Sequence, residues 1–329
     1  MPNKIRWGVL GAAKIALVKV IPGMQQCEHA EITAIASRDE GKARAAARQL
    51  NIPKHYGSYE ALLQDPEIDA IYNPLPNNLH VPWSIKAAEA GKHVLCEKPI
   101  ALTVEETRQL IAARDRTGVK MGEAFMVHVH PQWLRTLEIV RSGEIGALRA
   151  MNCVFCYNNR DPHNIRNMPE AGGGALMDIG CYPIHCSRWI FGEEPTRVSG
   201  FIERDPVFGT DRLISALLDF PSGHAAFTCS TQLAPYQRMI FFGDQGRIEI
   251  EIPVNAPPDQ ATRIQIHTVS TSLSPAGART ETFPVCHQYT LQGDAFSKAI
   301  QGLCDVPVPL EDALANMVVI ERLLLSHKL

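Results

Sequence analysis

The first third of the chain alternates short apolar runs with helical patterns, and few folds accept that alternation. Ile5–Leu10 reads as a buried strand and Lys14–Gln25 as the helix after it. Glu31–Ser37 is a second strand, followed by an Ala- and Arg-rich helix over Asp39–Leu50. Ala70–Asn73 and His93–Cys96 are further strands, and the helix between them, Leu79–Ala90, ends at Gly91, as a left-handed C-terminal glycine ends a helix. Thr103, with Glu106 three residues on, forms a capping box for the next helix. Val119–Phe125 closes the series. Parallel neighbours need a crossover, so this order predicts a doubly wound parallel sheet with helices on both faces over residues 1–125.

The rhythm changes after Phe125. A helix over Gln132–Ser142 ends at Gly143, and strand-like stretches follow: Leu148–Tyr157, Val198–Glu203, Leu213–Phe220, His224–Thr231, Arg238–Phe242 and Arg247–Ile252. Short turns such as Phe220-Pro221-Ser222-Gly223 and Gly243-Asp244-Gln245-Gly246 separate many of them, the mark of an antiparallel meander. One helix interrupts it over Ala175–Phe191, and two helical patterns, Leu291–Gln301 and Leu310–Ser326, end the chain. Residues 126–329 are therefore expected to form an α+β domain with an open, mainly antiparallel sheet. Such a sheet leaves one face bare, which a second copy can cover, so a homodimer or homotetramer through this sheet is expected.

No apolar run approaches the roughly 20 residues that span a bilayer. Met1-Pro2-Asn3-Lys4 runs straight into a strand, without a signal peptide, so a cytoplasmic protein is expected. A net charge of −3 argues against nucleic acid as a partner, since phosphate binding needs clustered cations. The nine cysteines are odd in number and scattered, which argues against a disulfide framework. Cys153 and Cys156 have the spacing of a zinc knuckle, but no second pair follows, and residues three apart on a strand face opposite ways. His128 and His130 share a strand face without a third ligand, so no metal is expected.

The turn Gly8-Val9-Leu10-Gly11-Ala12-Ala13-Lys14-Ile15-Ala16 joins the first strand to the first helix. A dinucleotide fingerprint wants a glycine for the tight turn, a second for close approach to pyrophosphate and a small third residue for packing. Gly11 and Ala16 fill the first and third places, and Ala13 replaces the second glycine. Backbone N–H groups of Ala12 to Ile15 and the helix N-terminus still suit an anion, and Lys14 adds charge. The second strand ends Ala36-Ser37-Arg38, with Lys42 one turn on. A hydroxyl, a guanidinium and an ammonium make a cradle for the 2′-phosphate of NADP, whereas an NAD site ends this strand with a carboxylate. Asp39 is the residue through which NAD remains the alternative.

Three further segments point to a family. Tyr72-Asn73-Pro74-Leu75-Pro76-Asn77-Asn78-Leu79-His80 runs from the strand Ala70–Asn73, and Glu97-Lys98-Pro99 follows His93–Cys96. Gly172-Gly173-Gly174-Ala175-Leu176-Met177-Asp178-Ile179-Gly180-Cys181-Tyr182 opens the lone helix of the second half. With the N-terminal turn, these resemble the glucose-fructose oxidoreductase family (Gfo/Idh/MocA), which includes inositol dehydrogenases and dimeric dihydrodiol dehydrogenase. Tyr182, where inositol dehydrogenases carry His, resembles the branch of aldose 1-dehydrogenases and dihydrodiol dehydrogenase. The resemblance implies a Rossmann front half, with Pro74, Leu75, Asn77, His80, Glu97 and Lys98 along the cofactor. It also implies that the face carrying Asp178 and Tyr182 meets Lys98 across a cleft, and that the Lys98–Pro99 bond is cis.

The chemistry is consistent with those roles. Removing hydride from an alcohol needs a base for the hydroxyl proton, and free Tyr, near ~10, needs a neighbouring ammonium to act at neutral pH. The resemblance makes Tyr182 the general acid/base, Lys98 the group that tunes it and holds the substrate oxygen, and Asp178 the residue that orients substrate or Lys98. Asn164, Arg166 and His185 are candidate substrate contacts, each of which also fits a structural role. The expected activity is NADP-dependent oxidation of a sugar at its anomeric hydroxyl. A trans-dihydrodiol or carbonyl reductase using the same residues, and a nucleotide-binding regulator without turnover, are the alternatives.

Overall fold

The computed structural model describes residues 4–268 and 278–326. The chain divides into two compact units, Met1–Val129 with His287–Leu314, and His130–Cys286 with Ala315–Leu329.

In the first unit the expected alternation becomes a six-stranded parallel sheet. Its strands are β1 (Ile5–Leu10), β2 (Ala30–Ala36), β3 (Lys54–Tyr56), β4 (Ala70–Asn73), β5 (His93–Cys96) and β6 (Met121–Glu123). Their order is β3-β2-β1-β4-β5-β6, the strand order of dinucleotide-binding sheets, whose ligands sit where the order reverses. β3 and the short helix Tyr59–Leu63 are additions to the sequence expectation. Thr103 caps the helix as expected, its Oγ1 accepting from the N–H of Glu106, while the Glu106 carboxylate reaches one residue before the cap and accepts from Leu102 N–H at 2.7 Å. The helix after β1 is not uniform. Ala16–Val20 is a π-turn, with Ile21 N–H bonded to Ala16 O, before an α-turn over Ile21–Met24. Pro22 lacks an N–H and its ring crowds the carbonyl one turn back, so hydrogen bonding slips by a residue.

The division at 125/126 expected from the sequence differs from the observed units in one respect: His287–Leu314 belongs with the front sheet. The cause is specific packing. Asp294 accepts from the N–H groups of Glu28 and His29 at the entry to β2. Trp7, fully buried, donates to Ser297 Oγ at 3.1 Å and packs on Phe296. Glu123 N–H donates to Val308 O at 3.0 Å, so this returning segment also closes on β6.

The second unit holds an eight-stranded sheet, β7 (Leu148–Asn158), β8 (Arg197–Arg204), β9 (Asp211–Phe220), β10 (Gly223–Ser230), β11 (Gln232–Gly243), β12 (Gly246–Ile250), β13 (Thr262–Thr268) and β14 (Arg279–Phe283). The order is β14-β13-β12-β11-β7-β10-β9-β8, antiparallel except where β7 meets β10. One face is core, with Phe155, Cys153, Phe227, Ile214 and Leu218 buried. Trp133, on the helix Pro131–Ser142, is fully buried against Phe241 and donates to Pro253 O at 2.7 Å. The helix expected over Ala175–Phe191 is again divided, a π-turn over Leu176–Gly180 and then an α-helix over Cys181–Phe191 that contains Pro183.

His128 and His130 do not share a strand. Met126–Val129 is a 3-10 turn, and His130 caps the next helix by accepting from Gln132 N–H through Nδ1. All nine cysteines are free thiols, and Cys153 and Cys156 are both buried in β7. Among the described residues no group of three or more His, Cys, Asp or Glu is placed to hold a metal, and no helix is long and apolar enough to cross a membrane.

Burial pushes the His130 imidazole down to about 4. The unfolded ring titrates at ~6.5, so the neutral folded ring contributes stability that is fully present above that value and is lost as pH falls towards 4. Asn caps a helix as well as a neutral His and does not titrate. Between pH 7 and 4.5, urea unfolding of the wild type should therefore lose about 2 kcal/mol more than that of His130→Asn. Equal acid losses in the two proteins would show that His130 carries no such linkage.

Candidate active site

The turn after β1 is built on Gly11, at φ +86°, a conformation that L side chains rarely adopt. A Cβ there would also meet Leu75 at 2.9 Å. Gly11 N–H donates to Ala36 O at 2.8 Å, which ties the turn to the end of β2. Ala12 and Ala13 are half-buried and Lys14, where the helix opens, is exposed.

At the end of β2, Ser37 is nearly buried and its Oγ accepts from Asp39 N–H at 3.2 Å. The Asp39 carboxylate is used as a helix cap, accepting from Lys42 N–H at 3.1 Å. Arg38 and Lys42 are exposed beside it. Arg38 also hydrogen-bonds the Tyr59 hydroxyl, which burial pushes up and the guanidinium draws back down. No motif marks Tyr59, which sits on the short helix Tyr59–Leu63. A carboxylate turned into a cap next to two accessible cations fits a 2′-phosphate better than a bare ribose.

Beyond β4, Asn73 is fully buried, donating to His80 O and Ser84 Oγ, both at 3.1 Å, and accepting from Leu75 N–H. Glu97 accepts from the Tyr72 hydroxyl at 2.6 Å, and burial, then that carboxylate, push Tyr72 up. Lys98 is half-buried, and the Lys98–Pro99 bond is cis. His80 is 1% exposed, inside the helix Asn77–Glu89 rather than opening it. Its Nδ1 lies 2.8 Å from Pro99 O and its Nε2 2.7 Å from Leu75 O. Burial, aided by the Lys98 charge, lowers it to about 4. Hydrogen bonds to the two carbonyls oppose that shift.

In the second unit the glycine triplet is explained by what lies against it. A Cβ on Gly173 would meet the carbonyl oxygens of Ile165 and Arg166 at 2.6 and 2.5 Å. Gly174, at φ +122°, lies against the Asp211 carboxylate, which a Cβ there would overlap. Asp211 is buried and accepts from Leu176 N–H at 2.6 Å, capping the helical segment that follows from β9. Burial raises its carboxyl, and the N–H groups it accepts from, Leu176 first, oppose that.

Asp178 lies in the π-turn. Its Oδ2 accepts from the Tyr157 hydroxyl at 2.6 Å and pairs with Arg166 Nε at 2.8 Å. Burial and then Asp178 push the Tyr157 hydroxyl up, so it stays a donor. Tyr182, one turn on, is 4% exposed, with Phe155 edge-on at 6.1 Å. His185 is fully buried and stacks on Trp189, and Asn164 uses its side chain to accept from Arg166 N–H at 3.1 Å. The expected residues thus fall into two groups: Gly11 to Lys98 in the first unit, and Asn164, Arg166, Asp178, Tyr182 and His185 in the second. Tyr157 and Asp211 were not foreseen, because each reaches Asp178 or its helix from a distant strand.

Residues 5–125 match a family model described as an oxidoreductase family with an NAD-binding Rossmann fold (Gfo/Idh/MocA), and residues 133–249 match its C-terminal domain model. An uncharacterised oxidoreductase of Rhizobium meliloti is 49% identical over 97% of this chain and 96% of its own length. D-xylose 1-dehydrogenase (NADP+) 2 of Haloferax volcanii is 37% identical over 96% of this chain and 95% of its own. A crystal structure of a 3-ketoreductase from Actinomadura kijaniata with NADP and TDP-benzene superposes with a TM-score of 0.90 at 28% identity, covering 98% of both chains.

Proposed function

Because the chain belongs to the Gfo/Idh/MocA oxidoreductase family, with its NAD-binding Rossmann fold, we propose that it is a cytoplasmic NADP-dependent sugar dehydrogenase oxidising the anomeric hydroxyl of an aldose to a lactone. The likeness to the Haloferax enzyme supports the sugar and the cofactor. The observation that carries the reading is Asp178, held by Tyr157 and Arg166 one turn before Tyr182. An acid/base on the same helix as an anchored carboxylate needs little reorganisation to act.

When bound, the nicotinamide supplies the hydride acceptor. Ala12 to Ile15 would hold its pyrophosphate on backbone N–H groups at the start of the helix, and Ser37, Arg38 and Lys42 would hold the 2′-phosphate. Tyr182 takes the proton from the sugar hydroxyl, and Lys98 stabilises the phenolate and grips the same oxygen. Asp178 orients the substrate through its fixed carboxylate. A trans-dihydrodiol or carbonyl reductase using the same residues is the second reading, and the likeness to the Actinomadura ketoreductase supports it. A panel of aldoses, polyols, diols and ketones followed by cofactor absorbance separates the two.

We also propose a homo-oligomer through the open face of the second sheet. Val154, Thr228, Ser215 and Phe201 form one cross-strand row from β7 to β8, so they share a face. Leu217 and Tyr236 lie on that face as well, two residues along from the paired positions. Phe201 is 86% exposed, Tyr236 51% and Leu217 49%, more apolar surface than a monomer ordinarily leaves together. Light scattering at micromolar concentration should give a dimer or larger for the wild type and a smaller species for Phe201→Glu. A monomeric wild type would dismiss the proposal.

Arg38→Ala should weaken NADP binding roughly ten- to hundredfold, the worth of a charge-assisted phosphate contact, and leave NAD little changed. Equal losses for both cofactors would show that Arg38 does not read the phosphate.

Tyr182→Phe should fold, bind cofactor and turn over roughly 10²–10⁴-fold more slowly. Lys98→Met should cost at least as much, and the double variant little more than the worse single one, because the two act as a unit. In the wild type, oxidation should rise with pH through an apparent pKa below that of free Tyr. Near-normal turnover in Tyr182→Phe, with chemistry rate-limiting, would transfer the role elsewhere, His185 being next in line.

A further inference from the structure

One peptide group next to Lys98 is held at both ends by buried side chains. The carbonyl of Pro99 lies 2.8 Å from His80 Nδ1, and the N–H of the same peptide unit, on Ile100, donates to Glu123 Oε1 at 2.8 Å. His80 comes from the helix after β4 and Glu123 from the end of β6, so the peptide unit is gripped from two separate elements of the sheet. Both side chains are almost inaccessible, His80 1% and Glu123 4% exposed. Neither polar group is where core packing alone would put it, since burying a carboxyl or an imidazole is costly unless hydrogen bonds compensate. A trans peptide unit pointing its C=O and N–H at two fixed partners cannot rotate, and the residue before it is thereby aimed.

We infer that His80 and Glu123 are positioning residues that fix the Pro99–Ile100 peptide and so set the placement of the Lys98 ammonium. The inference rests on the reading of Lys98 given above and adds what holds it. His80 can hold the Pro99 carbonyl only with a proton on Nδ1, and that proton is part of the inference. Glu123 needs only an acceptor oxygen, so Gln can replace it, whereas Leu cannot. Misplacing a catalytic group by a fraction of an ångström to an ångström costs up to about a hundredfold in turnover.

The test compares Glu123→Gln, Glu123→Leu, His80→Ala and Lys98→Met in the full-length protein. Turnover is expressed per NADPH-binding site, so that misfolded protein does not count, and the pH profile of oxidation is recorded for each. Glu123→Gln should stay within about threefold of wild type. Glu123→Leu and His80→Ala should lose roughly ten- to a hundredfold in kcat, with the rising limb of the pH profile moved to higher pH because the ammonium no longer stabilises the Tyr182 phenolate. The 15N spectrum of labelled histidine should show a protonated His80 Nδ1. Losses confined to the amount of folded protein, with kcat per site and the pH limb unchanged, would overturn the inference, and so would an unprotonated Nδ1 for the His80 half of it. If Lys98→Met retains turnover, the reading of Lys98 fails. If Lys98→Met is inactive while Glu123→Leu and His80→Ala behave as wild type, only the positioning inference fails.

Discussion

The amide of Asn73 is fully enclosed at the carboxyl end of β4, and it must be satisfied from within the protein. Its solution organises that edge of the front sheet. It takes up the carbonyl of His80, the hydroxyl of Ser84 and the N–H of Leu75, and so fixes where the next helix starts and where the loop before it runs. His80 then reaches the loop after β5, and Tyr72, on β4 itself, reaches Glu97. A parallel sheet presents its carboxyl ends together, and the loops that leave them carry no regular backbone pairing. Buried side-chain hydrogen bonds take its place here, and each leaves a high penalty if removed. The turn at Gly11 depends on the same edge, because Leu75 fills the space that a Cβ would need.

The second unit solves a similar problem by a different route. Its candidate residues stand on one helical segment, and the segment is fixed at its start by a carboxylate from another strand, Asp211, against a glycine that leaves room for it. The π-turn over Leu176–Gly180 gives Asp178 a place that a regular helix would shift, and π-turns recur at functional positions for that reason. Tyr157 and Arg166 then hold the carboxylate from the strand end and the loop. Both units thus place reactive groups by buried or half-buried polar contacts between elements distant in sequence.

Local patterns carried the sequence reading of the fold as far as they reach. The strands of the front sheet, the helix cap at Thr103, the glycine stop at Gly91 and the turn at Gly11 all rest on neighbours within a few residues, and these the sequence displays. Short β3, Lys54–Tyr56, has no apolar run to announce it, and β14, Arg279–Phe283, is almost wholly polar. In β13 the alternation of Ile264 and Ile266 with Arg263 and Gln265 was present to be read. Pro22 and Pro183 signalled departures from regular helix, though proline alone does not say whether a helix kinks, ends or widens. For the site, the motif residues were legible as a set, while their supports were not. Tyr157, Asp211 and Glu123 act on groups 21, 35 and 23 residues away, and no local spacing encodes such pairings.

The front unit is assembled from two stretches far apart in sequence, Met1–Val129 and His287–Leu314. Trp7 is buried on Phe296 and bonded to Ser297, and Asp294 secures the start of β2. During synthesis the first six strands emerge long before these partners exist, and the whole second sheet is made in between. The nascent front unit must therefore wait with Trp7 and the edge of β2 uncovered, and loop closure over that distance is slow. The ribosome delivers the capping segment only after the whole second sheet, so the order of synthesis runs against the order of the architecture. A chain stopped short of residue 287 would hold every strand of its nucleotide sheet and still lack the surface that seals it.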